Sequence, residues 1–469
     1  MEDDGYILVP DEETMILLFL ELIEDADIVT GWNSRFYDIP YLINRIRYLL
    51  GGESLEDISK EDGEEFPFNP SEESFPYLMK FCLFPELPKM QMVERYGNNE
   101  VTFDLCGRPH LDYLELYRKF NLKKKHSYKL DYILQDEIKQ SKVQYDGPLE
   151  LLQRNEFRKF IAYSRQDVAG LSALDDKLKM IEMASMMAHR AAVTMDKVLG
   201  SVVIIEQSIL RILHKKGIIA FDREKREKDP SVPGAFVAEP DGGLYEWVCS
   251  FDISSLYPSL IRALNISPEV LIGQFDLTRT EIKLREAMIR HNGDSAAAWG
   301  EFTGVLEYHD IIEERPINLT LVLEADGEEL SASGEDWKRI LKENNWCVTA
   351  NGTVFDMSRL GIIAECLNIW YAERDQFRKE AKKYEKLADE AKEINEIDKE
   401  KEYRLLAVLY ELRQQVAKLT LNSLYGCYLQ FTFRFYDPRC GRSVTLSGRC
   451  VVKHMNRTGD RIIAERDFM

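Results

Sequence analysis

Between Ile362 and Tyr425 the chain contains neither glycine nor proline, the residues that most readily interrupt a helix. Charged and apolar residues interleave throughout, as in "YAERDQFRKEAKKYEKLADEAKEINEIDKEKEYRLLAVLYELRQQVAKLT". One helix of that length would be unusual in a globular domain. The pattern therefore predicts two long antiparallel helices that turn near residues 391–399, "AKEINEIDK".

The chain has 469 residues, more than one hydrophobic core serves, so two to four domains are expected. "DADIVTGWN" (25–33) reads as a short buried strand ending in a loop, and 157–187 has the apolar spacing of a helix. "PGAFVAEPDGGLYEWVCSFD" (233–252) alternates turn signals with strand-like residues, and 270–355 is the least regular stretch. No internal repeat is visible. No apolar run approaches the roughly 20 residues of a membrane span, and the acidic start "MEDDGYILVPDEE" is unlike a signal peptide. A membrane is thus not an expected partner. The eight cysteines are scattered without a CxxC pair, which argues against zinc and suits a reducing cytosol.

A net charge of −20 taken alone argues against nucleic acid. Its distribution reverses that. Residues 53–73 collect nine carboxylates against Lys60 and read as a solvated loop or insertion. Residues 413–457 carry Arg413, Lys418, Arg434, Arg439, Arg442, Arg449, Lys453 and Arg457 against Asp437 alone. A locally basic surface can still hold a phosphate backbone.

Four short strings carry the chemistry. In "SFDISSLYPSLIRALNISPE" (250–269) an apolar strand ends at Asp252, and Pro258 suits the first position of a helix. The turn between them, Ser254 to Tyr257, would leave backbone N–H groups beside a carboxylate, a setting for a divalent cation and a polyphosphate. An isolated D-x-x-S would more simply be a surface turn. In "KLTLNSLYG" (418–426) Lys418, Asn422 and Tyr425 share one helix face and Gly426 is placed to end the helix. Arg374 and Arg378 in "RDQFR" form a second such face. If the two helices are antiparallel neighbours, Arg374, Arg378 and Lys418 can converge on one anionic ligand. Finally, "GWNSRFYDIPY" (31–41) and "YSRQDV" (163–168) supply Asp38, Asp167 and, one turn before the latter, Tyr163. Taken singly, each aspartate suits a surface position or a helix cap. Together they suit a metal-dependent phosphodiesterase, with carboxylates on the metals and the tyrosine near the attacking water.

These strings, in this order, resemble family B DNA polymerases of T-even-like tailed phages. Connecting strings such as "YDGPLELL", "PGAFVAEP", "GIIAECLNIWYAERDQFRK" and "FRFYDPR" extend the similarity over nearly the whole chain; 53–75 and 276–345 match least. The resemblance implies a multidomain α/β (mixed α+β) chain. Its parts would be a partial ribonuclease H-like 3′-5′ exonuclease domain (1–180), a return segment (181–223), a palm with an antiparallel sheet (224–360 and 431–469), helical-hairpin fingers (361–430), and no thumb. By the same resemblance Asp252 is a palm carboxylate for the catalytic metals, and Tyr257 stacks under the incoming sugar and excludes a 2′-hydroxyl. Arg374, Arg378 and Lys418 hold the triphosphate, with Ser254, Ser255 and Leu256 beside it, and Asn422, Tyr425 and Gly426 shape the pocket. Asp38 and Asp167 are exonuclease metal ligands with Tyr163 near the water; Gly234, Arg434, Arg439 and Arg442 contact DNA.

The pattern also breaks. The family's first exonuclease motif, Asp-x-Glu, would lie upstream of Met1, and its Asp-Thr-Asp-Ser hairpin downstream of Met469. The palm then offers one metal aspartate where two are needed, and two-metal catalysis holds its ions roughly 3.5–4 Å apart. The expectation is therefore a split or truncated polymerase. It would use Mg²⁺, with Mn²⁺ as a substitute, and bind primer-template DNA and dNTPs. A complementary chain would carry Asp-Thr-Asp-Ser, the thumb and any sliding-clamp contact, in the cytoplasm of a phage-infected bacterium. The alternatives are a non-catalytic DNA-binding remnant and a stand-alone exonuclease.

Overall fold

The structure is a computed structural model that describes residues 7–61, 68–95, 97–121, 123–141, 143–145, 147–223, 242–244, 251–253, 255–275, 286, 289–292 and 318–465, with backbone only at 59–61, 318, 457 and 460–465. Gly234, Ser254 and residues 247–250 of the strand expected to end at Asp252 lie outside the described residues. The chain divides into two compact units, Met1–Leu199 and Gly200–Met469. Among the described residues no helix is long and apolar enough to cross a membrane, and the described cysteines are free thiols.

The first unit runs through α1 (Glu12–Leu22), β1 (Val29–Gly31), α2 (Asp38–Leu49), α3 (Leu55–Glu61), β2 (Lys89–Arg95), β3 (Asn98–Asp104), β4 (His110–Asp112), α4 (Tyr113–Phe120), α5 (Phe157–Leu178) and α6 (Met180–Ala191). Asp11 opens α1 by accepting the Thr14 N–H at 2.8 Å, satisfying one of the donors a helix start leaves over. Glu12 also binds Arg45 of α2, with Nε to Oε1 at 2.7 Å. Ile16, Leu20, Ile39, Ile43, Ile46, Phe81 and Phe103 form the core beneath. β1 pairs in parallel with β4, and β2 forms an antiparallel hairpin with β3.

Three expectations change here. The 25–33 strand shrinks to the three residues of β1, of which Val29 and Gly31 are partly buried and Thr30 is exposed. The acidic stretch is not simply a loop: it contains α3, and Glu53 accepts two bonds from Arg47, at 2.9 and 2.5 Å. Arg47 is 2% exposed, so its charge requires that partner. The helix expected over 157–187 is two helices, because Lys179 takes a left-handed φ of 53°. Asp175 holds the break, accepting the Met180 N–H at 3.0 Å and the Tyr113 hydroxyl at 2.8 Å.

The second unit contains α7 (Ser201–Lys215), α8 (Leu256–Ala263), β5 (Leu271–Phe275), β6 (Asn318–Leu323), β7 (Glu329–Ser333), α9 (Gly334–Glu343), β8 (Trp346–Val348), β9 (Thr353–Asp356), α10 (Ile362–Glu393), α11 (Ile397–Tyr428) and α12 (Pro438–Glu465). The stretch that looked least regular supplies an antiparallel sheet of order β7-β6-β5-β9-β8. Phe275, Leu321, Trp337 and Val354 form a small core on it, and the Trp337 indole donates to the Leu319 carbonyl at 2.9 Å. The two long helices form as expected, with the turn at residues 394–396. Their roots enter the main core, where Ile363, Leu367, Trp370, Leu421, Leu424 and Tyr428 pack with Ile209, Ile261, Phe355 and Val444.

Both expected helix boundaries move. α8 begins at Leu256, with Pro258 in its third position, where a missing N–H still costs nothing. α11 passes through Gly426 to Tyr428, so that glycine does not end it. Tyr428 is fully buried and donates to the Ile266 carbonyl at 3.1 Å. That burial outweighs the cost of about 1 kcal/mol for glycine within a helix.

Two glycines therefore respond oppositely to a methyl group. A Cβ on Gly273 in β5 would sit 2.3 Å from the Val322 carbonyl oxygen, whereas one on Gly426 meets open space. In urea denaturation Gly273→Ala is expected to cost roughly 1–3 kcal/mol, and Gly426→Ala to be neutral or to stabilise by up to about 1 kcal/mol.

Candidate active sites

In the second unit, Phe251 to Ile253 have no regular structure and Asp252 is solvent-exposed. Ser255 adopts φ 54° and forms the N-cap of α8, which delivers Tyr257 to the hairpin root. There the Tyr257 ring meets Tyr425 of α11 with centroids 4.3 Å apart, tilted by 40°. The Tyr425 hydroxyl hydrogen-bonds the Thr445 hydroxyl of α12 at 2.6 Å. Gly448, one turn along α12, leaves room for this pair: a Cβ there would lie 3.0 Å from Tyr257 Cε1. Arg449 completes the setting and is 6% exposed. Burial raises the pKa of both phenols, and the Arg449 charge partly offsets this. Burial likewise pulls the Arg449 pKa down.

The sequence pointed to Tyr257 and Tyr425, to Arg449 only as one member of a basic stretch, and not to Thr445 and Gly448. The spacing of three and four residues from Thr445 to Gly448 and Arg449 is the signal that was available.

The register of the hairpin places the expected cations. Phe377 lies 6.3 Å from Tyr410 and under Arg413, Tyr384 stacks on Tyr410, and Arg404 pairs with Asp389. In an antiparallel pair, this sets Lys418 of α11 within about one turn of the level of Arg374 on α10. Arg374, Arg378 and Lys418 form no ion pair with a carboxylate among the described residues, although the Arg378 charge helps to lower the pKa of nearby Asp375, and the half-buried Arg374 leaves its Nε without a hydrogen bond. Nearer the tip, Lys379, Lys383, Lys386 and Arg404 all pair with carboxylates. Asn422 and Gly426 are exposed on α11.

Of the arginines expected at DNA, Arg434 binds Glu206 (Nε to Oε1, 3.4 Å) and the Phe221 carbonyl at 2.6 Å. Arg439 is forked onto Glu324 at 2.5 and 2.9 Å and also reaches Asp437 at 2.7 Å. Burial works against the Arg439 charge, but these carboxylates outweigh it and raise the pKa. The Arg442 Nε is buried.

In the first unit Asp38 is the first residue of α2. It is exposed at the surface, yet the surrounding protein raises its pKa while its own backbone N–H opposes the shift. Tyr163 and Asp167 lie one turn apart on α5, with the Tyr163 ring edge-on to Tyr145 at 5.2 Å.

What fixes the loop before Asp38 is a residue the sequence did not single out. Asp112, at the end of β4, is 1% exposed and accepts the backbone N–H groups of Asn33 (3.0 Å), Arg35 (3.1 Å) and Leu114 (2.9 Å). Ser34 bonds His110 Nε2 at 2.8 Å, and Arg35 pairs with Glu115 at 3.1 Å. Among the described residues no three His, Cys, Asp or Glu side chains converge as a metal site. Asp252, Asp38 and Asp167 therefore do not make up a full ligand set among these residues.

Comparison with known proteins agrees with this architecture. The model of DNA polymerase family B matches residues 193–466, and that of the family B exonuclease domain matches 4–133. The chain belongs to DNA polymerase family B. It is 28% identical to the DNA-directed DNA polymerase of Escherichia phage RB69 over 98% of this chain, and 24% identical to that of Enterobacteria phage T4 over 96%. In both cases it spans 46% of the relative's length. Its fold is similar to the family B DNA polymerase from the hyperthermophilic archaeon Pyrobaculum calidifontis, with a TM-score of 0.58 and 21% identity. That match covers 97% of this chain and 46% of that one. Asp38 falls within the matched exonuclease region; Tyr163 and Asp167 fall between the two matched regions.

Two measurements probe the Asp38 loop. Asp112→Ala strands buried N–H donors and is expected to cost roughly 2–4 kcal/mol in chemical denaturation. Glu115→Ala, which removes a partly exposed ion pair, should cost less than about 1 kcal/mol. Burial, helped by the Arg35 charge, depresses the His110 pKa to about 4. A base depressed on folding stabilises above its unfolded pKa and loses that contribution as pH falls toward the folded value. Stability should therefore drop between about pH 6.5 and 4, and His110→Gln should flatten that drop.

Proposed function

We propose that the chain forms the exonuclease, palm and fingers portion of a DNA-directed DNA polymerase that adds dNTPs to a primer 3′-hydroxyl. One observation carries the reading: Tyr257 packs on Tyr425 at 4.3 Å at the root of a hairpin whose cations Arg374, Arg378 and Lys418 form no ion pair among the described residues. Unneutralised cations beside a rigid aromatic pair suit a triphosphate and the sugar attached to it. Tyr257, wedged against Tyr425 and backed by Gly448, would exclude a 2′-hydroxyl. Discrimination by one hydroxyl takes such rigidity. Asn422 and Gly426, beside Tyr425, would border the nascent base pair, and Ser254, Ser255 and Leu256 the phosphates. Gly234 and Arg442 would contact DNA, with Arg434 and Arg439 doing so only through groups left over from their ion pairs.

Mg²⁺, or Mn²⁺ in its place, is the cofactor this family reading brings, with Asp252 as one palm ligand and Asp38 and Asp167 as exonuclease ligands. Asp252 alone among the described residues does not hold two cations. The second carboxylate, in an Asp-Thr-Asp-Ser segment, would come from outside these 469 residues, together with the thumb and any clamp contact, and the working site would be the cytoplasm of a phage-infected bacterium. The first unit would then be a ribonuclease H-like proofreading domain.

The test is primer extension by the purified chain, alone and mixed with a chain bearing Asp-Thr-Asp-Ser and the thumb. Extension in the mixture only, abolished by Asp252→Ala, is the expected result. DNA binding without extension in either would favour a non-catalytic remnant. In the active mixture Tyr257→Ala should raise ribonucleotide use relative to deoxynucleotide by roughly tenfold or more. An unchanged ratio would remove the gate.

A further inference from the structure

The first unit encloses a second site that this reading does not use. It is a cavity of about 600 Å³, within the range of small-ligand pockets. Asp38, Tyr163 and Asp167 do not line it. One wall is the β3–β4 turn, and the other is α6 with the segment after it, as far as Leu199.

Its charge is unbalanced. Arg35, Lys89, Arg108 and Lys197 line it against Asp104 and Asp196. Arg35, Lys89 and Lys197 have carboxylate partners in Glu115, Glu86 and Asp196. Arg108 has none. It is 2% exposed, its Nη atoms donate to the backbone carbonyls of Lys80 (3.2 Å) and Glu24 (2.9 Å), and its buried Nε has no partner. A guanidinium held out of water without a counter-charge is costly, and an anion entering the cavity would relieve it.

The adjoining wall is aromatic. Phe84 also lines the cavity and is 56% exposed. Its ring lies over Gly107, the residue before Arg108, where φ is +81° and a Cβ would come within 2.5 Å of the ring. Glycine thus lets an exposed aromatic face sit beside a buried cation. An open ring stacks on a nucleobase, and an unpaired guanidinium takes a phosphate.

We propose that this cavity binds a nucleoside monophosphate, with the phosphate on Arg108 and the base on Phe84. The proposal rests on the walls of the first unit alone and is independent of polymerase activity.

The experiment is isothermal titration of the full chain with dAMP in EDTA, which silences any metal-dependent carboxylate site. Saturable binding is expected. Phe84→Ala should weaken it roughly tenfold, and Arg108→Met at least tenfold. Because Arg108 also braces two carbonyls, Ser185→Trp, which adds bulk from the α6 wall and leaves the Arg108 side chain in place, gives an independent loss of binding. Thermal melts of the variants without ligand show that each is folded. Four outcomes would overturn the proposal: no saturable binding at millimolar dAMP, binding unaltered by Phe84→Ala and Ser185→Trp, inorganic phosphate binding as tightly as dAMP, or binding that requires Mg²⁺.

Discussion

Asn265 holds the polymerase-type unit together at its most consequential joint. It is 2% exposed, and its φ of 53° turns the chain sharply after α8. Its side-chain amide donates to the carbonyls of Asp356 (2.6 Å) and Arg359 (2.9 Å) and accepts the Gly361 N–H at 2.8 Å. One buried amide thus binds the end of β9 to the start of α10. Gly361 has to be small here, since a Cβ would fall 2.6 Å from that of Ser267. Arg262 adds a second tie, with Nε on Asn368 at 2.6 Å and its guanidinium over the Tyr371 ring at 4.5 Å. The helix bearing Tyr257 and the helix bearing Arg374 are therefore fixed to each other before any ligand arrives. Preorganisation of that kind is what a discriminating pocket requires.

The same logic recurs in the exonuclease-type unit. There a buried carboxylate, Asp112, gathers the backbone N–H groups of the loop that leads to Asp38. In both units the residues a chemist would choose as reactive are exposed or half-buried. The residues that hold them are buried, polar and fully bonded. A third polar knot docks α12 onto the sheet: Thr349, Asn351, Thr353, Gln274 and Ser443 bond one another at 2.6–2.9 Å.

How much of this could be read beforehand depended on how local the signal was. The hairpin was legible because a stretch free of glycine and proline has few alternatives, and its turn fell inside the expected window. Pro258 and Gly426 misled by a few residues because burial of Tyr428 and the position of α8 override local propensity. The sheet was obscure because β8 and β9 are only three and four residues long and β5 is separated from β6 by a long stretch. Asn265 and Asp112 were invisible for a different reason. Each acts on backbone groups about 80 to 100 residues away, and no spacing rule reaches that far. The Asp252, Tyr257 and Tyr425 strings stood out, but the α12 face that backs the tyrosines did not.

Membership in family B is carried by both units. In the proposed polymerase, the α8 turn and the roots of α10 and α11 would close on one deoxynucleoside triphosphate. Hydrogen exchange on the chain with primer-template DNA, with and without dNTP, addresses that claim directly. The account predicts that dNTP slows exchange together in residues 255–260, 371–378 and 418–426 and leaves the hairpin tip around 394–396 unchanged. Protection confined to one of these segments, or found only elsewhere, would contradict it.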